Sequence, residues 1–221
     1  MQIDRAVGIP VIVDCDTGYG NALNVIRTTQ DLEAMGIAGM CIEDNTFPKK
    51  CSFYESVPRS LDDPRTFINK IKAAKENQLT KDFFVIARTE ALIQGNSVSQ
   101  AIKRAEDYAA AGADSIVIHS KDATGRETKQ IAKSWREDIP LTVIPTKFPQ
   151  FSTTDLGRMG YKMIIYANHP IRAAAKAVND MLGLLKSSGT QQSINESLFR
   201  ITDLDSIVGV DKLASNEKKY A

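Results

Sequence analysis

Three cysteines, two histidines and one tryptophan are all that the 221 residues contain of those types. Cys15, Cys41 and Cys51 are odd in number and lack framework spacing, which excludes a disulfide scaffold and leaves reduced thiols in a reducing compartment. With so few histidines and cysteines no zinc-ligand cluster can be drawn, and no serine nucleophile elbow is present. Charge of one sign is not in excess either: 28 Lys and Arg stand against 27 Asp and Glu, a net charge of +1. Nothing would release counterions from a phosphate backbone, and no polybasic run marks a membrane surface, so neither nucleic acid nor membrane is an expected partner. The opening MQIDRAVGIPVIVD is too short and too interrupted to span a bilayer and lacks the basic flank of a secretory signal, which reads as cytoplasmic. A dinucleotide loop is missing as well, since GYGN at 18–21 lacks the third glycine and the acidic partner.

What is there is the composition of a globular domain, 43% hydrophobic and 25% charged. Short β-branched runs alternate with longer runs of helical period. The strands are expected at 10–15, 37–42, 83–87, 115–119, 141–145 and 162–166, and their nearly continuous apolar character predicts a parallel sheet buried on both faces. Helices are expected at about 20–35, 63–78, 97–111, 125–137, 153–159 and 170–187. An internal repeat, EAMGIAGMCIED, AAAGADSIVIHS and GRMGYKMIIYAN, sets this register and places Gly36, Gly112 and Gly160 where a helix end needs a left-handed residue.

Alternating βα units build either an open doubly wound sheet or a barrel. Polar residues follow six different strands: Asp14 and Asp16, Glu43 and Asp44, Arg88 and Glu90, His119 and Ser120, Thr146 and Lys147, Asn168 and His169. A barrel gathers all these exits on one rim, so the expected fold is a TIM-type (β/α)8 barrel with two strands unaccounted for. Residues 1–221 are read as a single, partial barrel domain, with 188–221 a helical extension whose Leu198, Phe199, Ile201, Leu204, Ile207 and Val208 need burial against a partner subunit.

Three constellations carry chemistry. In DCDTGYGN (14–21), strand alternation would aim Asp14 and Asp16 at one point, where a hard divalent cation such as Mg²⁺ relieves their repulsion, with Glu43 as the next carboxylate inward. The plainer alternative is that Asp16, Thr17 and Gly18 make a turn and cap the helix beginning near Gly20. EDNTFPKKCSFY (43–54) opens a long loop carrying Lys49, Lys50 and Cys51, and its Phe47, Phe53 and Tyr54 favour a lid over a solvated basic turn. Arg88 with Glu90, and His119, are either satisfied structural groups or, beside a cation, a site for an anionic phosphorylated substrate.

At VDCDTGYGN (13–21), IEDNTFPKK (42–50), VIARTEALI (85–93), AGADSIVIHSK (111–121), VIPTKFP (143–149) and YANHPIRA (166–173) the sequence resembles the isocitrate lyase and phosphoenolpyruvate mutase superfamily. Within it, the resemblance is to the phosphoenolpyruvate mutase and phosphonopyruvate hydrolase branch. It implies an (α/β)8 barrel whose last helix swaps between subunits of a dimer or tetramer. It also implies a rim Mg²⁺ held by Asp14 directly with Asp16 and Glu43, a phosphoryl group held by Arg88 and His119, and Lys49 as the lysine of a gating loop.

Two departures stand out. Family members have roughly two further βα units before the segment matching Val11 to Asn21, so a barrel lacking its first two units, from an N-terminally truncated chain, is the expectation. Cys51 stands where the mutase has asparagine and where the carbon-carbon lyases have an acid/base cysteine in a KKCGH motif. Here the cysteine is kept while Ser52 and Phe53 replace the glycine and histidine. Cys51 is thus either a proton donor activated by a neighbouring lysine or a harmless loop replacement. The working reading is Mg²⁺-dependent interconversion of phosphoenolpyruvate and phosphonopyruvate, acting on a phosphorylated or phosphonate 2-oxo acid. Phosphonopyruvate hydrolysis, a 2-methylisocitrate-type lyase using Cys51, and an inactive truncated homologue are the alternatives.

Overall fold

The computed structural model describes residues 2–52 and 57–221, so the lid expectations placed on Phe53 and Tyr54 lie outside the described residues. Six strands form one parallel sheet: β1 (Ile12–Asp14), β2 (Gly39–Glu43), β3 (Phe84–Thr89), β4 (Ser115–Ile118), β5 (Leu141–Val143) and β6 (Tyr161–Ile164). Every strand lies beside its chain neighbour, in the order β1-β2-β3-β4-β5-β6. A doubly wound sheet would reverse that order at a switch point; unbroken succession is barrel topology. Among the described residues β1 and β6 each pair on one side only, so the six strands form an arc and not the closed eight-stranded ring.

The helices fall where periodicity places them: α2 (Ala22–Ala34), α3 (Pro64–Asn77), α4 (Val98–Ala110), α5 (Arg126–Ser134), α6 (Thr153–Met159) and α7 (His169–Ser188). A short α1 (Gln2–Ala6) precedes them and was not legible as a periodic run. Local chemistry sets the starts. Asn21, Ser97 and Ser152 cap α2, α4 and α6 in reciprocal capping boxes, and Asp63 caps α3 ahead of Pro64. Helix α5 stops short of the expected 137 because Trp135 turns extended and its indole N–H donates to the Ile139 carbonyl at 2.8 Å. Gly36, Gly112 and Gly160 have φ of +83°, +103° and +111°, the left-handed helix ends that the repeat predicts.

Strand alternation divides the core in two. Met40, Ile42, Val85, Ala87, Ile116 and Ile118 pack towards the helices. Cys41, Ile86, Val117 and Ile144 form a smaller cluster on the other face, edged by Ile12, Phe84, Met163 and Ile165. Asp14, Glu43, Arg88 and His119 continue the rows of this second face one step beyond Ile12, Cys41, Ile86 and Val117. Parallel register sets Asp14 beside Cys41, Glu43 beside Arg88, and Arg88 beside Val117.

Residues Met1–Ala167 and Asn168–Ala221 form two compact units. The second contains α7, α8 (Ile201–Val208) and α9 (Val210–Tyr220), none of which buries a residue, and short turns between α7 and α8 where Ile194 is buried. The six apolar residues expected to seek a partner are 48–78% exposed. No described helix is long and apolar enough to cross a membrane.

Candidate active site

The turn after β1 brings two carboxylates to one place by a route other than the expected strand alternation. Strand β1 ends at Asp14, and the chain folds back through Asp16 (φ +51°), Gly18 (φ +82°) and Tyr19 (φ +59°). The Asp16 N–H donates to Asp14 Oδ1 at 3.1 Å, and the Glu43 N–H to the Asp16 carbonyl at 2.7 Å. Positive φ at two non-glycine residues is local strain, the kind a functional turn retains. Buried Lys70 braces the turn, donating to the Thr17 carbonyl at 3.1 Å and to Asp62 at 2.8 Å.

The Lys49 ammonium sits among the acids that the sequence marked: 2.6 Å from Asp16 Oδ1, 3.7 Å from Glu43 Oε2 and 4.0 Å from Asp14 Oδ2. Burial works against its charge, but the Asp16 hydrogen bond and the Glu43 and Asp14 charges prevail and raise its pKa. Glu43 is 1% exposed. Burial pushes its carboxyl above the ordinary range, against the pull of Arg88. Its Oε1 accepts from Asn45 Nδ2 at 2.8 Å, while Oε2 has no hydrogen-bond donor.

A second node adjoins this one through Glu43, whose Oε2 lies 3.4 Å from Arg88 Nε. Arg88 Nε donates to Glu90 Oε1 at 2.6 Å, and His119 Nδ1 lies 2.6 Å from the same oxygen. Glu90 is fully buried; burial favours its neutral form, yet the His119 hydrogen bond and the Arg88 charge bring the carboxyl down to about 2. An ionised carboxylate only accepts, so Nδ1 of His119 carries the proton, and the 3.0 Å approach of Arg88 to Nδ1 is not a hydrogen bond. Burial and the Arg88 charge hold His119 below its ordinary pKa against the pull of Glu90, so neutral imidazole presents a bare Nε2.

Ser52 and Asn45 belong to these nodes without having been marked by the sequence. Ser52 Oγ donates to Glu90 Oε2 at 2.7 Å, and Lys121 Nζ donates to the Ser52 carbonyl, pinning the loop over Arg88 and Glu90. No spacing rule reveals Ser52, because the loop path alone puts it there. Cys51 is half-buried, and its carbonyl accepts from Arg59. Asp44, one residue on from Glu43, faces the helices, where it accepts from Thr89, the Glu90 N–H, Arg104 and Tyr108 at 2.7–2.8 Å. Alternation along β2 could have assigned it there. Of the other exits, Ser120 turns to Glu127, which helps to seat the start of α5.

Among the described residues no three acidic, histidine or cysteine side chains are gathered tightly enough to ligate one ion directly. The donor set nonetheless fits a hard divalent cation that keeps part of its water. It consists of carboxylate oxygens only, one of them buried without a donor, around a point where a cation already rests as Lys49.

The family described as phosphoenolpyruvate phosphomutase matches residues 1–185. A phosphoenolpyruvate phosphomutase of Tetrahymena pyriformis is 36% identical over 212 residues, which cover 96% of this chain and 71% of that protein. The crystal structure of a phosphoenolpyruvate phosphomutase from Streptomyces platensis subsp. rosaceus superposes with a TM-score of 0.95 at 40% identity, covering 99% of this chain and 76% of that one. A phosphonopyruvate hydrolase, solved as a complex with oxalate and Mg²⁺, superposes with a TM-score of 0.91 at 36% identity, covering 99% and 75%. The fold, the strand order and this breadth of likeness lead to one conclusion: the chain belongs to the phosphoenolpyruvate phosphomutase family.

Proposed function

We propose that this chain is a Mg²⁺-dependent enzyme that interconverts phosphoenolpyruvate and phosphonopyruvate, making and breaking a P–C bond. The observation that carries the reading is Glu43, whose one free oxygen faces both the Asp14–Asp16–Lys49 node and Arg88. A cation-seeking cluster thus adjoins an anion-receiving one. The cations Lys49, Arg88 and Lys121 stand among four carboxylates, Asp14, Asp16, Glu43 and Glu90, so further positive charge favours an anionic substrate. Asp14, with Asp16 and Glu43, would hold Mg²⁺. When bound, the ion supplies positive charge that offsets the charge developing on the pyruvyl oxygen. The hydrolase solved with Mg²⁺ and oxalate supports this, since oxalate has the planar shape of a pyruvyl carboxylate and its neighbouring oxygen.

The chain's own groups do the rest. As the P–C bond of phosphonopyruvate breaks, its electron pair passes into the pyruvyl group, and the pyruvyl oxygen then takes the phosphorus. Positioning and charge suffice without a protein nucleophile. Arg88 binds the migrating phosphoryl oxygens, and the bare Nε2 of His119 takes a proton from one of them and returns it once the P–O bond forms. Glu90 sets both groups in place, and its own charge turns it away from an anionic substrate. Lys49 and Ser52 hold the loop shut against water, whose entry would give pyruvate and phosphate. The migration needs no acid/base thiol, so Cys51→Ser should slow it only modestly, whereas a lyase would lose nearly all activity.

A ³¹P NMR assay with phosphonopyruvate and Mg²⁺ tests this. A phosphoenolpyruvate signal that disappears in Asp14→Ala is the expected result. Free phosphate would assign hydrolysis instead, and an unchanged spectrum would leave a lyase or an inactive homologue. A homodimer or homotetramer, joined through the apolar helices of 168–221, is also proposed; a clean monomer on size-exclusion chromatography would refute it.

A further inference from the structure

We infer that Asn45 is the positioning residue of the cation site: its amide fixes the Glu43 carboxylate so that Oε2, and not Oε1, faces the point where Asp14, Asp16 and Lys49 meet. The inference rests on the cation-site reading above and adds a residue to it.

Asn45 is 2% exposed, and Nδ2 donates to Glu43 Oε1 at 2.8 Å. The backbone around it is clamped. Asn45 forms an antiparallel bridge with Leu61, the Thr46 N–H donates to the Ser60 carbonyl at 2.9 Å, and the Asp62 N–H to the Asp44 carbonyl at 2.8 Å. The main chain that carries the amide is therefore fixed, and Glu43 Oε1 is the partner that Nδ2 reaches from it. Of the two Glu43 oxygens, Asn45 holds one, and the other has no donor, 3.7 Å from the Lys49 ammonium. A buried carboxylate with one oxygen tied and the other open is oriented before any ion arrives, which is how residues behind a metal ligand act on affinity. A bare carboxylate at this depth could instead swing both oxygens to Arg88, whose Nε is already 3.4 Å away, and be lost to the cation.

The test is Mn²⁺ titration of the substrate-free protein followed by electron paramagnetic resonance, which reads the ion and not turnover. Asn45→Leu, of similar size but without the amide, should weaken Mn²⁺ binding about tenfold and, by leaving buried Glu43 Oε1 without its donor, lower the melting temperature of the cation-free protein by a few degrees. Glu43→Gln should weaken it too, and Asn45→Leu should then cost nothing more in the Glu43→Gln background, because the group it orients is gone. Independent losses in the two backgrounds overturn the inference. So does normal Mn²⁺ affinity in Asn45→Leu while Glu43→Gln is deficient, and that result leaves the cation site standing. Normal affinity in Glu43→Gln alone removes the cation site itself and Asn45 with it. Should Asn45→Leu fail to fold, Asn45→Ser, too short to reach Glu43, takes its place with the same expectation.

Discussion

Replacing Asp44 by asparagine tests whether the layer behind the site carries real stability. Asp44 is fully buried, and its two oxygens are unequally loaded. Oδ2 accepts from Thr89 Oγ1 at 2.8 Å, Arg104 Nε at 2.7 Å and Tyr108 OH at 2.7 Å, whereas Oδ1 accepts from the Glu90 N–H at 2.8 Å. An asparagine amide can put its oxygen on one side only. Either its NH₂ faces three donors, or it faces the backbone N–H of Glu90. In both cases a buried donor meets a donor, and Arg104 loses its counter-charge. Breaking a buried pair costs about 3–5 kcal/mol. Arg104 keeps the Asp62 carbonyl and some solvent, so the lower end, about 3 kcal/mol, applies here. For a chain of this length that lowers Tm by about 6–12 °C. Thermal unfolding followed by circular dichroism reads it directly. A loss below about 1 kcal/mol would mean that the network is reorganised at little cost and that Asp44 is not the brace described.

Lys49→Met removes the resident cation from among Asp14, Asp16 and Glu43, so Mn²⁺ should bind about tenfold more tightly, worth about 1.4 kcal/mol, while turnover is lost; equal or weaker binding would refute the competition. Brief alkylation at neutral pH followed by peptide mass spectrometry should label half-buried Cys51 first. Cys15, whose thiol burial pushes up to about 11, and buried Cys41 should react only on unfolding, and comparable labelling of all three would count against the packing described. Acid should weaken the fold in two stages. His119 is held by burial below its ordinary 6.5, so the unfolded chain takes up that proton first and stability falls from about pH 6.5 downward. Glu90, held at about 2 against 4.5, adds stability that is whole above pH 4.5 and drains away towards pH 2, whereas Glu43, raised by burial, opposes the trend. Urea midpoints taken from pH 7 to 3 should fall, and Glu90→Gln should flatten the part below pH 4.5; an unaltered slope in that variant would sever the link to Glu90.

Strand positions were legible because all six described strands are predominantly apolar runs between turn residues, and the parallel sheet follows from burial on both faces of the central strands β2 to β5. The residues at the strand ends were legible for the same reason, since Glu43, Arg88 and His119 each continue an alternating row. Strand alternation does not bring Asp14 and Asp16 together: the strand ends at Asp14, and a left-handed turn that no periodicity encodes carries Asp16 back towards Lys49. Ser52 stayed hidden because loop path, not spacing, places it, whereas Asn45 sits two residues beyond Glu43 on the same row and could have been found by alternation. Trp135 ended a helix early by leaving the helical region for the Ile139 carbonyl, a competition between side chain and backbone that composition does not announce.

The end of β2 offers two acids in succession, Glu43 towards the Cys41–Ile86 face and Asp44 towards the helices, one in the candidate site and one in the architecture. Their side chains differ by a single methylene, so identity hardly separates the two tasks, and the pleat does. A one-residue insertion in β2 would hand each acid the other's surroundings. Scaffold and candidate site would fail together, so changes of length are tolerated in the segments beyond the strands, where they do not turn the ladder over.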